Sequence, residues 1–377
     1  MKIGILTQPL INNYGGLLQA YALQSTLKEM GHEVWIINRQ PSKPTIKRIV
    51  KNQVKRIILK HLLKRTTFSL DPNTKEKEII GTYTNYFKRK HIQPITSEIT
   101  DNKQLNEIKN LNFDAIVVGS DQVWRPKYSP NIFNYFLDFI EKEDQIKKIS
   151  YAASFGVDQW EFTPEQTRIC SELVKKFNAV SVRESSGVKL CENYLSISAS
   201  HVLDPTLLLN ASKYIQVTQE ENEPTSEGKL MTYILDENTE KDKLIIDVSN
   251  WLKIKPFTVM QKEKLTGRNT IENSIFPPVS KWLKGFMDAD FVITDSFHGC
   301  VFSIIFNKPF LAVGNKNRGI ARFTSLLKTF NLEDRLILDN FSFDEKMIDA
   351  SINWENVNKI LEEEQQKSFS FLENALK

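Results

Sequence analysis

The stretch FVITDSFHGCVFSIIFNKPF, residues 291–310, decides the fold of the second half of the chain. It begins with an apolar run that is typical of a buried strand, and Asp295 and Ser296 are residue types that cap helices. An apolar helix-like run comes next, and a second strand-like run, PFLAVG, occupies residues 309–314. This order predicts two parallel strands joined by a crossover helix, with His298 in the first turn of that helix.

Similar apolar runs recur along the chain, and helix-period segments such as residues 17–31 separate many of them. Strand–helix alternation with continuously apolar strands predicts parallel sheets covered on both faces, and therefore an α/β fold of two doubly wound domains. The polar segment TQEENEPTSEGK at 218–229 is the expected linker. We place the domains at residues 1–215 and 228–353, followed by a C-terminal helix at 354–377. The other predicted strands are 2–7, 33–38, 113–120, 147–154, 178–183, 229–235, 255–260 and 290–296.

Composition indicates a soluble cytoplasmic protein. Of the 377 residues, 41% are hydrophobic and 25% are charged, and no apolar run approaches the ~20 residues of a membrane-spanning helix. The three cysteines are widely spaced, which predicts a reducing compartment and no structural zinc. The histidines other than His298 show no metal-ligand spacing, so we expect no metal site.

The segment 43–65 carries nine Lys or Arg residues and no acid, although the net charge of the whole chain is only +4. A basic stretch confined to one segment, without a nucleic-acid motif, argues against nucleic acid as a partner. Apolar residues recur at helical spacing between these cations. The pattern predicts either a helix on an anionic membrane surface, at the inner face of the membrane, or a helix packed on its own domain with a solvated cationic face.

Ligands of doubly wound folds bind outside the carboxyl ends of the strands, so polar residues at these ends are candidates for function. Gly15 and Gly16 follow the first strand and precede a helix, either to bring amides close to a ligand or to form a simple turn. Ser120 and Asp121 end another strand. The Asp121 carboxylate could take a proton from a hydroxyl, bind sugar hydroxyls or cap the next segment. Arg183 offers a planar fork for a carboxylate or phosphate, or a salt bridge to an acid.

His298 is the strongest catalytic candidate. The free amides and the dipole at the start of its helix attract an anion, and an imidazole there can exchange a proton with a bound anionic substrate, although a structural role is the alternative. Arg318 and Arg322 are four residues apart and would share a helical face, where they could clamp a diphosphate or a phosphate plus a carboxylate, or remain solvated. Asn315 lies in the same loop.

Six motifs together resemble the polysaccharide pyruvyl transferase family, in order over roughly residues 3–335. They are NYGGLLQAYALQ, VVGSDQVW, SYAASFG, VSVRESSG, VLDPTLLL and ITDSFHGCVFSIIFNKPF. The resemblance implies two Rossmann-like domains in a GT-B-like arrangement with the active cleft between them. It also implies an enzyme that moves a pyruvyl group from phosphoenolpyruvate onto two hydroxyls of a sugar as a cyclic ketal, with release of phosphate. The implied reaction requires no cofactor and no metal.

The resemblance also implies site residues. His298 is similar to the family histidine near phosphoenolpyruvate, and Arg183 to the arginine that contacts the donor. Many members have an arginine two residues before the histidine, where this chain has Ser296. We therefore assign the donor to Arg183, Ser296, Asn315, Arg318 and Arg322, with Arg318 or Arg322 as the replacement cation. We assign the acceptor to Asn13, Tyr14, Gly15, Gly16 and Ser120, and catalysis to His298 and Asp121.

The expected acceptor is a sugar of a bacterial-type surface polysaccharide or its lipid-linked precursor. A lipid-linked oligosaccharide would give the basic segment 43–65 a reason to contact a membrane. Two alternatives stay open. One is a GT-B glycosyltransferase that uses a nucleotide sugar, because Arg318 and Arg322 would suit a diphosphate. The other is a non-catalytic glycan- or partner-binding module, because of Ser296.

Overall fold

The computed structural model describes residues 1–42, 54, 72–141, 145–264, 270–314, 319–338 and 344–377. Except for Val54, the basic segment 43–65 lies outside the described residues, as do Asn315 and Arg318. The described residues form two parallel sheets with helices packed around them, so the predicted α/β fold of two Rossmann-like domains is confirmed.

The N-terminal sheet has six strands in the order β2-β1-β3-β4-β5-β6, and every pair is parallel. The strands are β1 (Lys2–Leu6), β2 (Glu33–Ile37), β3 (Ala115–Val118), β4 (Lys147–Ala153), β5 (Ala179–Val182) and β6 (Ser200–His201). β3 is buried at every position, since helices cover both faces of the sheet, and this explains its unbroken apolar run AIVV.

The C-terminal sheet has five parallel strands in the order β11-β10-β9-β7-β8. The strands are β7 (Leu230–Tyr233), β8 (Pro256–Phe257), β9 (Phe291–Thr294), β10 (Phe310–Val313) and β11 (Leu336–Ile337). The edge strands β8 and β11 contain two residues each. β8 is therefore much shorter than the predicted strand 255–260, and β11 was not predicted, because an edge strand has only one partner and needs no long apolar run.

Most helices connect successive strands. They are α1 (Tyr14–Glu29), α2 (Thr74–Ile80), α3 (Thr82–His91), α4 (Asn102–Asn106), α5 (Pro164–Val174), α6 (Ser185–Leu190), α7 (Ala211–Glu220), α8 (Thr239–Leu252), α9 (Val279–Asp288), α10 (Phe297–Ile305), α11 (Ile320–Thr329), α12 (Glu345–Asp349) and α13 (Trp354–Leu376). Gly31 lies just beyond α1 with φ +90°, as expected of a glycine that stops a helix. None of the helices in the described ranges is both long enough and apolar enough to cross a membrane.

The C-terminal helix α13 returns to the N-terminal domain. The Ser368 hydroxyl accepts a hydrogen bond from the Leu203 amide at 3.1 Å, and Gln365 donates to the Leu207 carbonyl at 2.6 Å. Phe371 contacts the ring of Tyr151 on β4. The last helix therefore packs on the N-terminal domain, although it follows the C-terminal domain in sequence.

The two domains share one apolar core around Tyr14, the first residue of α1. The Tyr14 ring stacks on Trp282 of α9 with centroids 5.5 Å apart, and its hydroxyl donates to the Pro277 carbonyl at 2.8 Å. The loops at the carboxyl ends of the two sheets meet at this interface, in the GT-B-like arrangement that the family resemblance implies.

Candidate active site

His298 lies in the first turn of α10, directly after β9, as predicted. The expected side-chain cap is not formed: Ser296 occupies the N-cap position, but its side chain makes no capping hydrogen bond. Asp295 cannot serve instead, because its carboxylate accepts hydrogen bonds from the Leu235 amide at 2.6 Å and from Lys241 Nζ at 2.7 Å. The start of α10 is thus fixed by a buried ion pair beside it rather than by a capping hydroxyl.

The His298 ring lies at the domain interface and is only 7% exposed. It packs directly on Gly15 of α1, so closely that a Cβ added at Gly15 would lie 2.0 Å from His298 Nδ1. On its other side, Nε2 is 3.7 Å from Asp204 Oδ2 of the N-terminal domain, which is longer than a hydrogen bond. His298 Nε2 is buried and has no hydrogen-bond partner in the part of the chain that the structure describes.

Arg183 follows β5, and its guanidinium is almost fully buried. Nη1 donates to Asp204 Oδ2 at 2.8 Å, and Nη2 is 3.7 Å from Asp121 Oδ1. The guanidinium also lies over the Phe297 ring, 4.5 Å from its centroid, so it reaches the C-terminal domain. Within the described ranges, Nε and Nη2 make no hydrogen bond. Burial opposes the charge of Arg183, but Asp204, Asp121 and Glu184 outweigh it and raise its pKa.

Asp204 joins these groups, and the sequence analysis did not select it. It follows β6, and its Oδ1 accepts hydrogen bonds from the amide and hydroxyl of Thr206, at 3.0 and 2.6 Å. Its Oδ2 accepts from Arg183 and, at 3.1 Å, from the Ser120 hydroxyl. Burial alone would raise the pKa of Asp204, but His298, Arg183 and the Thr206 hydroxyl outweigh it and hold the pKa well below its usual range. Asp204 is therefore a buried anion that faces the Arg183 guanidinium and the His298 imidazole.

Arg322 of α11 brings a second guanidinium to the same cluster. It is buried and lies 5.8 Å from the centroid of the Phe297 ring that Arg183 also covers. Burial and the neighbouring charge of Arg183 lower the pKa of Arg322 to about 10. Arg322 thus belongs to the same buried cluster as Arg183 and Phe297.

Asp121 and Ser120 belong to the same cluster. The Asp121 backbone has φ 73°, and its Oδ1 accepts a hydrogen bond from the Gln122 amide at 2.9 Å in addition to facing Arg183. Ser120 is fully buried, and its hydroxyl donates to Asp204. Ser120 therefore holds the carboxylate that faces His298, while Asp121 borders the guanidinium.

The residues assigned to the acceptor on α1 have structural contacts. Asn13 caps the helix, since its side chain accepts a hydrogen bond from the Gly16 amide at 3.2 Å. Tyr14 fills the domain interface, and Gly15 is covered by His298. Of these four residues only Asn13 is exposed.

The guanidinium groups of Arg183 and Arg322 and the His298 imidazole therefore lie around the Phe297 ring. Three buried nitrogens have no hydrogen-bond partner among the described residues: Arg183 Nε, Arg183 Nη2 and His298 Nε2. The two Arg183 nitrogens lie 4.0 and 3.7 Å from carboxylate oxygens of Glu184 and Asp121, which is beyond hydrogen-bond distance. Buried polar groups of this kind are costly unless a partner pairs with them. A carboxylate or phosphate supplies the acceptors that these groups require. In the ranges that the structure describes, no group of three or more His, Cys, Asp and Glu residues could hold a metal ion.

Fold and site together define a two-domain α/β protein with a buried polar cluster where the domains meet. A family model described as polysaccharide pyruvyl transferase matches residues 13–317. Because this match covers most of the chain, the protein belongs to the polysaccharide pyruvyl transferase family, and the resemblance carried by the six motifs is confirmed. No curated protein sequence matches the chain.

Several solved structures are similar in overall shape. UDP-GlcNAc 2-epimerase from Methanocaldococcus jannaschii is 14% identical, with a TM-score of 0.48 over 96% of this chain and 92% of the other. UDP-N-acetylglucosamine 2-epimerase from Rickettsia bellii is 11% identical, with a TM-score of 0.48 over 100% and 97%. A variant of O-GlcNAc transferase from Thermobaculum terrenum is 11% identical, with a TM-score of 0.45 over 100% and 66%. Structural similarity at this level gives no information about activity.

Proposed function

We propose that the protein transfers the pyruvyl group of phosphoenolpyruvate to a sugar of a surface polysaccharide or of its lipid-linked precursor. The product is a cyclic ketal, and phosphate is released. Family membership supports pyruvyl transfer. Phosphoenolpyruvate is assigned as the donor substrate because buried nitrogens of Arg183 and His298 have no hydrogen-bond partner among the described residues. Phosphoenolpyruvate carries both anions that this cluster suits, a carboxylate and a phosphate.

In the proposed reaction His298 is the acid. It protonates the terminal carbon of the enol, C3, and positive charge develops at C2, where the first sugar hydroxyl forms a bond. The C2–O bond to phosphate then breaks, and the second hydroxyl closes the ketal at C2. The two sugar hydroxyls lose two protons. One returns to His298, which gave its proton to C3, and the other leaves with phosphate.

Four charged side chains support this chemistry. Asp204 Oδ2 lies 3.7 Å from His298 Nε2 and would orient the imidazole. Arg183 and Arg322 would hold the donor anion, and Arg183 is itself fixed by Asp204. Asp121, beside Arg183, would accept the proton of the attacking hydroxyl. The acid and the base therefore come from different domains.

The test is phosphate release from phosphoenolpyruvate in the presence of a panel of glycan acceptors. We expect release by the wild-type protein and a loss of about 10²-fold or more in His298→Ala, because a positioned general acid contributes on that scale. Wild-type turnover in this variant would remove His298 from the mechanism. Reaction with nucleotide sugars but not with phosphoenolpyruvate would instead favour the glycosyltransferase alternative. Glycan binding without any heat from phosphoenolpyruvate would favour a non-catalytic module.

We also propose that the protein works in the cytoplasm, at the inner face of the membrane when its acceptor is lipid-linked. The nine cations of residues 43–65 support this placement, because clustered Lys and Arg residues are attracted to anionic lipid surfaces.

A further inference from the structure

Glu184 is a buried carboxylate next to the active-site cluster that the proposed reaction does not use. It is fully buried, and it follows Arg183 at the end of β5. Its Oε1 accepts hydrogen bonds from the Ser154 hydroxyl at 3.0 Å, from the Phe155 amide at 2.8 Å and from the Gly156 amide at 3.3 Å. Glu184 therefore fixes the backbone of residues 154–156, which follow β4.

A second set of contacts holds residues 154–156 from another side. The Gln122 side chain lies against Gly156, so closely that a Cβ added at Gly156 would be 2.1 Å from Gln122 Oε1. The same oxygen accepts a hydrogen bond from Arg125 Nη1 at 3.0 Å. Arg125 is in turn paired with Glu161, through Nε at 2.8 Å and Nη2 at 2.9 Å. Contacts from two sides thus fix the position of the Gly156 carbonyl.

The Gly156 carbonyl lies against the start of α11 in the C-terminal domain. A Cβ added at Gly319, the N-cap residue of α11, would lie 1.7 Å from the Gly156 oxygen, so the two backbones can come this close only at a glycine. Gly319 also has φ +88°, a conformation that favours glycine. Direct backbone contact with residues 154–156 therefore places the N-terminus of α11.

A second contact between the domains follows Arg322 on α11. The Ser325 hydroxyl accepts a hydrogen bond from the Ser185 amide at 2.9 Å, and Ser185 is the residue after Glu184. Gly319, Arg322 and Ser325 are each three residues apart, so they lie along one side of the helix. The N-terminal domain thus contacts α11 both before and after Arg322, and Glu184 or its neighbour in sequence takes part each time.

These contacts hold two like charges together. The guanidinium groups of Arg183 and Arg322 lie 4.5 and 5.8 Å from the centroid of the same Phe297 ring. Burial and the charge of Arg183 lower the pKa of Arg322, as expected of cations that repel each other. Two cations that the fold already holds close together need less reorganisation when an anion binds between them. The position of Arg322 beside Arg183 should therefore decide how tightly an anion binds.

We propose that Gly319 and Glu184 are positioning residues of the donor site, which set the place of Arg322 relative to Arg183 through the backbone contact of Gly156 with Gly319. The ligand is an anion that carries a carboxylate or a phosphate. The inference rests on the proposed function only in that this anion is phosphoenolpyruvate. Both residues act through Arg322 rather than by contact with the anion.

The test is a double-mutant cycle of Gly319→Ala and Arg322→Met in the full-length protein, with calorimetry of phosphoenolpyruvate and of inorganic phosphate. We expect Gly319→Ala to weaken the binding of both anions about tenfold, because a displaced guanidinium loses a charge-assisted hydrogen bond. In the Arg322→Met background, Gly319→Ala should cause no further loss, because the group that it displaces is already absent.

Gly31→Ala is the matched control. Gly31 has φ +90°, but among the described residues no heavy atom lies within 4 Å of an added Cβ. This variant introduces similar backbone strain without the contact, so we expect wild-type affinity. Ser325→Ala is a milder second variant, since it removes the acceptor of the Ser185 amide without strain in the backbone. It should weaken the binding of both anions by about a few-fold, and only when Arg322 is present.

The proposal is overturned if Gly319→Ala binds both anions as tightly as Gly31→Ala, or if the wild type binds neither anion. It is also overturned if the losses in Gly319→Ala and Ser325→Ala are the same with and without Arg322; the Ser325→Ala comparison decides should Gly319→Ala not fold. Phosphate binding that depends on Gly319, without binding of phosphoenolpyruvate, keeps the positioning role and removes the proposed donor. Turnover of phosphoenolpyruvate with equal affinity in Gly319→Ala and Gly31→Ala removes the positioning role and keeps the transferase.

Discussion

Gly15→Ala is the most informative single change, because it tests whether α1 of one domain positions the catalytic group of the other. The added Cβ would lie 2.0 Å from His298 Nδ1, 2.4 Å from Cγ and 2.6 Å from Cε1. Ordinary contact requires at least 3.4 Å, so the ring must move by more than about 1 Å from its place beside Asp204. Misplacement of a reacting group by about 1 Å can cost about 10²-fold in rate.

The expected loss in Gly15→Ala is therefore about 10²-fold in phosphate release from phosphoenolpyruvate. Alanine favours a helix over glycine by roughly 0.5–1 kcal/mol, which offsets part of the strain, so we expect a native far-ultraviolet spectrum. Gly16→Ala is the matched control, because its Cβ would meet Asn13 Nδ2 at 3.3 Å and would not reach His298. We expect Gly16→Ala to retain activity within a few-fold. Equal turnover in the two variants would refute the claim that Gly15 positions the imidazole.

Three further predictions address the charges of the site. Asp204→Asn should lower the free energy of unfolding at neutral pH by about 3 kcal/mol, because the buried Arg183 guanidinium loses the carboxylate that it donates to. Folding lowers the pKa of Asp204, so the stability that Asp204 contributes is present above the unfolded pKa of about 4 and is lost as the pH falls below that value. The free energy of unfolding of this variant should therefore change less with pH on the acid side than that of the wild type. An unchanged acid dependence would contradict the role of Asp204 as a buried anion. Arg322→Met should weaken phosphoenolpyruvate binding about tenfold, because it removes a guanidinium that would pair with the donor anion; unchanged donor binding would show that Arg322 is not part of the donor site. Replacement of Lys51, Lys55 and Arg56 by Gln should reduce co-sedimentation with vesicles that contain phosphatidylglycerol, and equal sedimentation of variant and wild type would remove the proposed membrane contact.

The long strands and the helices were predictable because their signals are local. β1, β3, β9 and β10 are buried apolar runs, and α1 ends where Gly31 stops it, so residue type alone indicates these elements. The two-residue strand β6 gives no such signal. Asp204 was missed for this reason, although the Asp-Pro pair of VLDPT marks the end of a strand run.

The location of His298, Arg183 and Asp121 at strand ends was also predictable, because the carboxyl edge of a parallel sheet is a ligand site in this class of fold. The residues that these side chains contact were not predictable. The contact between Gly15 and His298 joins residues that are far apart in sequence, and only the packing of α1 against α10 brings them together. For the same reason Tyr14 was assigned to a ligand, whereas its ring fills the core between the domains.

Titration calorimetry with phosphoenolpyruvate measures whether Arg183 and His298, which come from different domains, bind one small anion together. We expect one site per chain, with affinity reduced by tenfold or more in Arg183→Met, because this variant lacks the guanidinium that would pair with the anion. Absence of heat with phosphoenolpyruvate, or equal affinity in the wild type and Arg183→Met, would contradict this expectation.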